Sequence, residues 1–234
     1  MTRHTALNNI DHRDLRVDPR RGARMGDDVM FAPTFPAEFR NVQAHYPIVF
    51  HKDGQGRFQP VALFGFRQGQ NLFLRGERWD ATYLPLAMER QPFLIGRSGT
   101  ELAVHIDLDH PRVGTATGEP LFREHGGSSD YLERMTSMLR TLHDGLEATP
   151  AFIDALLRHE LLESFVLDVQ LDDGAQHRLA GFYTVQEDRL RALDADAFLA
   201  LHRDGHLEPL YMVLASLAQL RVLIERINRP DDAT

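Results

Sequence analysis

Hydrophobic and polar positions alternate most cleanly between Glu101 and Asp109. Leu102, Val104, Ile106 and Leu108 face one way and Ala103, His105, Asp107 and Asp109 the other, the period-two signature of a half-buried strand. Upstream, PIVFH (from Pro47) and RFQPVALFGF (from Arg57) are apolar runs separated by Asp53-Gly54 and Gly56. NLFL (Asn71 to Leu74) follows Gln68-Gly69-Gln70. Short turns between such runs predict a three-stranded antiparallel meander. Pro60 assigns the second run to a sheet edge or a bulge. HRDLRV (His12 to Val17) and QPFLIG (Gln91 to Gly96) read as further strands. SFVLDVQL and HRLAGFYT, joined through Asp172-Asp173-Gly174, predict a later hairpin over 164–184.

Helical spacing is confined to a few stretches. Phe35, Phe39 and Val42 share one face, so a short helix is expected at about 36–43, with Pro36 in its first turn. Another is expected from about Thr82 in RWDATYLPLAMERQ. Tyr131, Leu132, Met135, Met138, Leu139, Leu142 and Leu146 form an apolar stripe with Ser129 as its cap. Thr149-Pro150 predicts the start of a second helix, with Phe152, Ile153, Leu156, Leu157 and Leu161 inward, and so an αα-hairpin. Thr184 and Glu187 have the spacing of a capping box. Asp194 caps a short helix that Gly205 ends. A last helix from Pro209 turns Leu210, Leu214, Leu217, Leu220, Ile224 and Ile227 inward and Glu208, Ser216, Gln219 and Arg226 to water.

Together these elements predict an α+β fold: a mostly antiparallel sheet, meander plus later hairpin, covered on one face by C-terminal helices. The expected domain spans 12–228. Its β-rich half is 12–110, its helix-rich half is 128–228, and the Gly- and Pro-rich connection 110–128 is the seam between them. Residues 1–11 and 229–234 read as loose tails.

Composition narrows the chemistry. The chain has 234 residues, of which 43% are apolar, enough for a sizeable core. The absence of Cys excludes disulfides, thiolate catalysis and Cys-ligated zinc or iron–sulfur centres. A formal net charge of −8 argues against nucleic acid as a partner. Lys52 is the sole lysine among many arginines, a bias that fits a GC-rich bacterial genome. The N-terminus lacks the apolar core of a signal peptide, and no uninterrupted apolar run approaches the ~18 residues of a membrane helix. The expectation is a soluble, cytoplasmic protein.

Candidate chemistry is sparse. His105 and Asp107 lie on one strand face, as a facial iron triad requires, and His177 on another predicted strand is the candidate third ligand. The two long helices between them do not match the β-helix scaffold of such oxygenases, so no metal is favoured. HRDL at residues 12–15 matches a kinase catalytic loop but lacks everything that must precede it. His125, Ser128, Ser129 and Asp130 share one loop without the strand–turn–helix of a nucleophile elbow, and Ser129 reads as a cap. His202 and His206 suit a helix C-terminus. Nucleotide-binding glycine motifs are absent, and no cofactor is expected. Tyr46, Trp79 and Tyr83, with Arg78 nearby, have the amphipathic character of pocket walls and are the candidate ligand-binding residues.

The segments NVQAHYPIVFHKDGQGRFQPVALFGF, NLFLRGERWDATYLP and RQPFLIG, with the later GFYTVQEDRL and LEPLYMVLASLAQLRVLIERIN, resemble the bacterial SapC family over residues 12–228. That resemblance implies an accessory protein of uptake or modification loci, found beside TonB-dependent receptors and flavin-dependent halogenase-like proteins. A partner protein from such a locus is therefore expected. The resemblance carries no catalytic residues across. The functional expectation is a binding protein for a small molecule or peptide. The alternative is a metal-dependent, 2-oxoglutarate-type oxygenase using His105 and Asp107.

Overall fold

A computed structural model describes residues 3–98 and 101–229. In chain order the strands are β1 (His4–Ala6), β2 (Arg16–Val17), β3 (Phe31–Pro33), β4 (Ile48–Lys52), β5 (Phe58–Leu63), β6 (Leu74–Arg75), β7 (Arg78–Trp79), β8 (Phe93–Ser98), β9 (Glu101–Asp107), β10 (Val113–Gly114), β11 (Glu119–Pro120), β12 (Leu162–Gln170) and β13 (Gln176–Val185). The α-helices are α1 (Phe39–Val42), α2 (Leu86–Glu89), α3 (Asp130–Arg158), α4 (Glu187–Arg191), α5 (Ala195–Arg203), α6 (Leu207–Ser216) and α7 (Gln219–Asn228). The fold is α+β with antiparallel sheets and C-terminal helices. Of the described residues, 3–28, 74–80 and 86–144 form one compact unit, and 29–73, 81–85 and 145–229 form the other. The 110–128 connection lies inside the first unit, and the boundary falls within α3, after Asp144.

In the first unit β9 is the centre of a β1-β9-β8 sheet. Of the expected inward face, Ile106 lies opposite both Phe93 and Thr5 and joins Val17, Leu121, Leu132, Met135 and Leu139 in the core, Val104 and Leu108 pack against that core partly buried, and Leu102 is 55% exposed instead. Ser129 caps α3, its Oγ accepting from the Leu132 N–H at 3.2 Å and donating to the Pro120 carbonyl at 2.6 Å. Loop 18–28 is closed by a buried ion pair: Arg112 Nη2 meets Asp27 Oδ2 at 2.5 Å, with side chains 1% and 0% exposed. Arg112 also donates to the carbonyls of Asp18 and Arg20, and Asp27 accepts from the Gly22 N–H at 2.8 Å. The chain there has little apolar content of its own, and these bonds replace a hydrophobic core for it.

The second unit holds a five-stranded sheet ordered β12-β13-β4-β5-β3. Phe182 and Tyr183 of the predicted hairpin pair with His51 and Phe50 of β4, which joins that hairpin to the upstream strands. Helix α6 packs on β13 and β4, with Leu210 and Val213 fully buried. Phe152 of α3 is buried among the rings of Phe39 and Phe50.

Several local expectations are corrected. NLFL is not a third meander strand. Asn71 Oδ1 takes the Phe73 N–H at 3.0 Å in a side-chain turn, and the strand beside β5 is β3. The helix expected from Thr82 is only Leu86–Glu89, because Pro85 pushes Leu84 out of the helical region. Instead of an αα-hairpin, α3 runs unbroken through Pro150. Thr149 is not a cap; its hydroxyl donates back to the Gly145 carbonyl at 2.8 Å. The burial of Phe152, Ile153, Ala155 and Leu156 holds the axis against the roughly 3 kcal/mol that an interior proline costs. The capping box at Thr184 does not form either: β13 continues to Val185, and the buried Thr184 Oγ1 has no hydrogen-bond partner among the described residues.

The single last helix is two, α6 and α7. Ser216, expected to face water, is fully buried: its Oγ accepts the Ile48 N–H at 2.8 Å and donates to the Val213 carbonyl at 2.6 Å. The run Leu207–Asn228 is long and apolar enough, by length and composition alone, to cross a membrane. In the fold it is divided after Ser216, with Leu210, Val213 and Leu223 buried.

Two stability effects follow from local geometry. Glu160, just beyond α3, sits at φ 55°, a left-handed conformation that glycine adopts freely. Its carboxylate pairs with Arg189 at 2.9 Å on the surface, an interaction worth at most about 1 kcal/mol. Glu160→Gly is expected to raise the urea midpoint by the equivalent of roughly 0.5–1 kcal/mol; a lowered midpoint would show that the ion pair wins. Burial pushes the imidazoles of His45, His110 and His206 below their ordinary range. The unfolded chain therefore binds more protons than the fold just below pH ~6.5. Their contribution is complete above that pH and is lost as pH falls through the folded values. The urea midpoint is expected to drop between pH 7.5 and 5.5, with a smaller drop in His45→Gln; an unchanged midpoint in the parent would contradict this.

Candidate functional site

The second unit contains a groove of about 530 Å³ between the β4–β5 turn and the C-terminal half of α3. Its strand wall is Asp53, Gly56, Arg57, Phe58, Gln59 and Pro60, continued by Pro33 and Thr34. Its helix wall is Leu146, Thr149, Pro150, Ile153, Asp154 and Leu157. The helix residues recur every three or four positions and so share one face. Ile153 is buried, whereas Leu146 and Leu157 at the two ends are 41% and 47% exposed. The size lies within the ~300–1,000 Å³ of small-ligand sites, and an apolar floor with a few polar groups is their usual make-up. Asp53 is held below the usual carboxylate range by the Arg57 N–H, and its carboxylate pairs with the Arg57 guanidinium at 3.0 Å.

A polar chain lies behind the strand wall. The Thr34 hydroxyl donates to Glu38 Oε2 at 2.6 Å and the Tyr83 hydroxyl to Glu38 Oε1 at 2.9 Å. Glu38 is buried, so these donors offset the desolvation of its carboxylate. Tyr46 is fully buried against Phe64 and Phe73, and its hydroxyl donates to the Tyr83 carbonyl. His45 stacks on Tyr83, and its Nε2 lies 3.2 Å from Thr82 Oγ1. Two of the four expected ligand residues, Tyr46 and Tyr83, are thus brought together, as support for Thr34 at the groove wall. The other two, Arg78 and Trp79, lie on the β6–β7 hairpin of the first unit, where Arg78 is exposed and Trp79 half-buried. The groove's helix wall was read from sequence as plain core face; the exposure of Leu146 and Leu157 has no sequence signal.

The face considered for iron is differently arranged. Asp107 carries a side chain 13% exposed, 3.8 Å from His4, and accepts the Asp109 N–H at 3.1 Å. The His105 ring lies directly over Gly96, where a Cβ would meet it at 2.6 Å, and its Nε2 is buried without a hydrogen-bond partner among the described residues. His177 is in the second unit, on β13, 6.1 Å from the Phe66 ring. Among the described residues no three His, Asp or Glu side chains are grouped to hold a metal ion. His105 and Asp107 lie on β9 and His177 on β13, all strands as expected, in different units. A cavity of about 610 Å³ in the first unit is lined by Arg13, Arg16 and Arg123. These are already engaged, with the Glu124 and Gly118 carbonyls and with Asp130 respectively.

Fold and groove define an α+β protein with an apolar ligand-sized cleft. The SapC family model matches residues 7–223, so the chain belongs to the SapC family. Neither a curated protein nor a solved structure matches it.

Proposed function

We propose that this protein is a non-catalytic accessory protein that binds a small molecule or peptide in the groove between residues 53–60 and 146–157. The observation that carries the reading is the pair of exposed leucines, Leu146 and Leu157, flanking Pro150 and the buried Ile153 on one helix face opposite the strand wall. An apolar face left open over three helical turns gains free energy by being covered, at roughly 25 cal/mol per Å² of apolar area buried. Family membership supports an accessory role in partnership with proteins of an uptake or modification locus, and an N-terminus without the apolar core of a signal peptide supports a place inside the cell.

The test uses 1-anilinonaphthalene-8-sulfonate as an apolar probe with the full chain. One saturable site is expected, lost at least tenfold in affinity in Leu146→Arg/Leu157→Arg, with the circular dichroism spectrum unchanged because both residues are already exposed. Equal binding by parent and variant would remove the groove as the site. Stoichiometric iron in the purified protein would overturn the non-catalytic reading itself.

A further inference from the structure

We infer that the groove's ligand is an extended peptide segment, added as a short strand along the open edge of β5 at Phe58 and carrying an apolar residue beside a positively charged one. This deepens the proposed function and rests on the groove being the ligand site.

The main chain supplies the first reason. Leu63 N donates to the Pro47 carbonyl and Asp53 N to the Arg57 carbonyl, so odd-numbered residues of β5 bond toward β4. Phe64 N donates to the Met30 carbonyl, and the Pro60 carbonyl accepts from Thr34 N at 3.1 Å, so even-numbered residues bond toward β3. By this alternation the N–H and C=O of Phe58 point to the β3 side. Strand β3 pairs only with residues 61–63, and after Thr34 the chain turns away into the turn of 3-10 helix at Pro36–Glu38. Phe58 therefore offers one donor and one acceptor at an unpaired edge, and both it and its neighbours line the groove. The complement of such an edge is another extended main chain. A rigid apolar small molecule leaves both groups unbonded, at about 1–3 kcal/mol for each one it buries.

The helix wall supplies the second reason. Pro150 has no N–H, so the Leu146 carbonyl lacks its i+4 donor, and both residues line the groove. An amide N–H of the ligand can bond there. Strand edge and helix stripe then meet opposite sides of one extended chain: the Phe58 N–H and C=O on one, the Leu146 carbonyl and the apolar floor of Pro150, Ile153 and Leu157 on the other. Charge supplies the third. Asp53 is matched by Arg57, whereas Asp154, exposed on the helix wall, forms no ion pair among the described residues. Asp154 is therefore the point on the helix wall at which the groove favours a cationic side chain or a free amino terminus.

Lys52 provides the readout. It is the sole lysine, it lies opposite Phe58 in the β4–β5 pair, and its Nζ is 4.7 Å from the Phe58 ring. Reductive ¹³C-methylation of the full-length protein gives one side-chain signal besides the α-amine. That signal is sensitive to any movement of the Phe58 ring. The probes are Ac-Val-Arg-Val-Arg-Val-NH₂, the same peptide N-methylated at alternate amides, Ac-Val-Glu-Val-Glu-Val-NH₂, and the anilinonaphthalene dye. The first peptide is expected to shift the Lys52 signal saturably. The N-methylated and Glu peptides are expected to bind at least tenfold more weakly, and Leu157→Arg to abolish the shift. Equal binding of the N-methylated peptide overturns the inference, because the strand edge is then unused. Dye binding that the Leu146→Arg/Leu157→Arg variant abolishes, with no shift from any peptide at millimolar concentration, overturns it too and leaves the groove as a small-molecule site. No response to dye or peptides removes both readings.

Discussion

Arg112→Ala is expected to destabilise the protein by about 3–5 kcal/mol, the cost of leaving a buried carboxylate with only the more distant Arg21, whose Nη1 lies 3.6 Å from Asp27 Oδ1. Asp27 and Arg112 are 0% and 1% exposed, so water cannot replace the missing guanidinium without opening the loop. Arg112 also serves the carbonyls of Asp18 and Arg20, and each orphaned buried acceptor adds roughly 1–3 kcal/mol. The double variant Asp27→Leu/Arg112→Met removes both charges and is expected to recover much of the loss. It stays below the parent because the two carbonyls and the Gly22 N–H keep no partner and the largely buried Arg21 loses its carboxylate. Urea denaturation of the three proteins tests the order parent, double variant, Arg112→Ala. A loss under about 1 kcal/mol in Arg112→Ala would mean that the pair behaves as a surface ion pair.

Gly145→Ala is expected to destabilise strongly, against the usual trend for a helix. In an exposed helix interior that substitution gains about 1 kcal/mol. Here an added Cβ would lie 2.1 Å from Cδ2 and 2.3 Å from Cε2 of Phe35, which is 1% exposed. The ring cannot leave without disturbing the core, and overpacking typically costs 1–3 kcal/mol or more; at this separation the upper end is expected. Phe35→Leu in the same background should return part of the loss by vacating the space, whereas in the parent it should only destabilise. This opposite sign, read as a double-mutant cycle in urea or heat, distinguishes a direct clash from a general helix effect. Additive losses would show that Gly145 is required for some other reason.

What was legible in the sequence was local. The alternation from Leu102 to Leu108 placed Ile106 in the core, the Asp-Asp-Gly turn gave the hairpin, and Ser129 and Asp194 were correctly read as caps; Asp194 Oδ1 accepts the Ala197 N–H at 2.8 Å. The misreadings share a cause. Thr149-Pro150 has the local form of a helix start, but Phe152, Ile153 and Leu156 bury enough apolar surface to carry α3 through it. Asn71-Leu72-Phe73-Leu74 is apolar enough for a strand, but the Asn71 side chain closes a turn first. Ser216 has the polarity of a wet face and instead takes an N–H from a strand 168 residues earlier in the chain. Of the candidate site, the chemistry of Tyr46 and Tyr83 is legible; that Tyr46 is fully buried on the Tyr83 carbonyl and that Tyr83 bonds Glu38 was not.

The sequence alone determined the α+β class, most strand positions, two helix caps and the family. The first three depend on periodicity or capping within about ten residues, where the identity of the neighbours is known, and the family on the resemblance of whole segments along the chain. The tertiary structure alone decided the union of Asp27 with Arg112, the fit of Phe35 over Gly145, the Glu38 network and the groove left open beside Phe58. In each case the energy is set by which distant groups are desolvated together, and which strand stops short of its neighbour, and neither is encoded in local spacing.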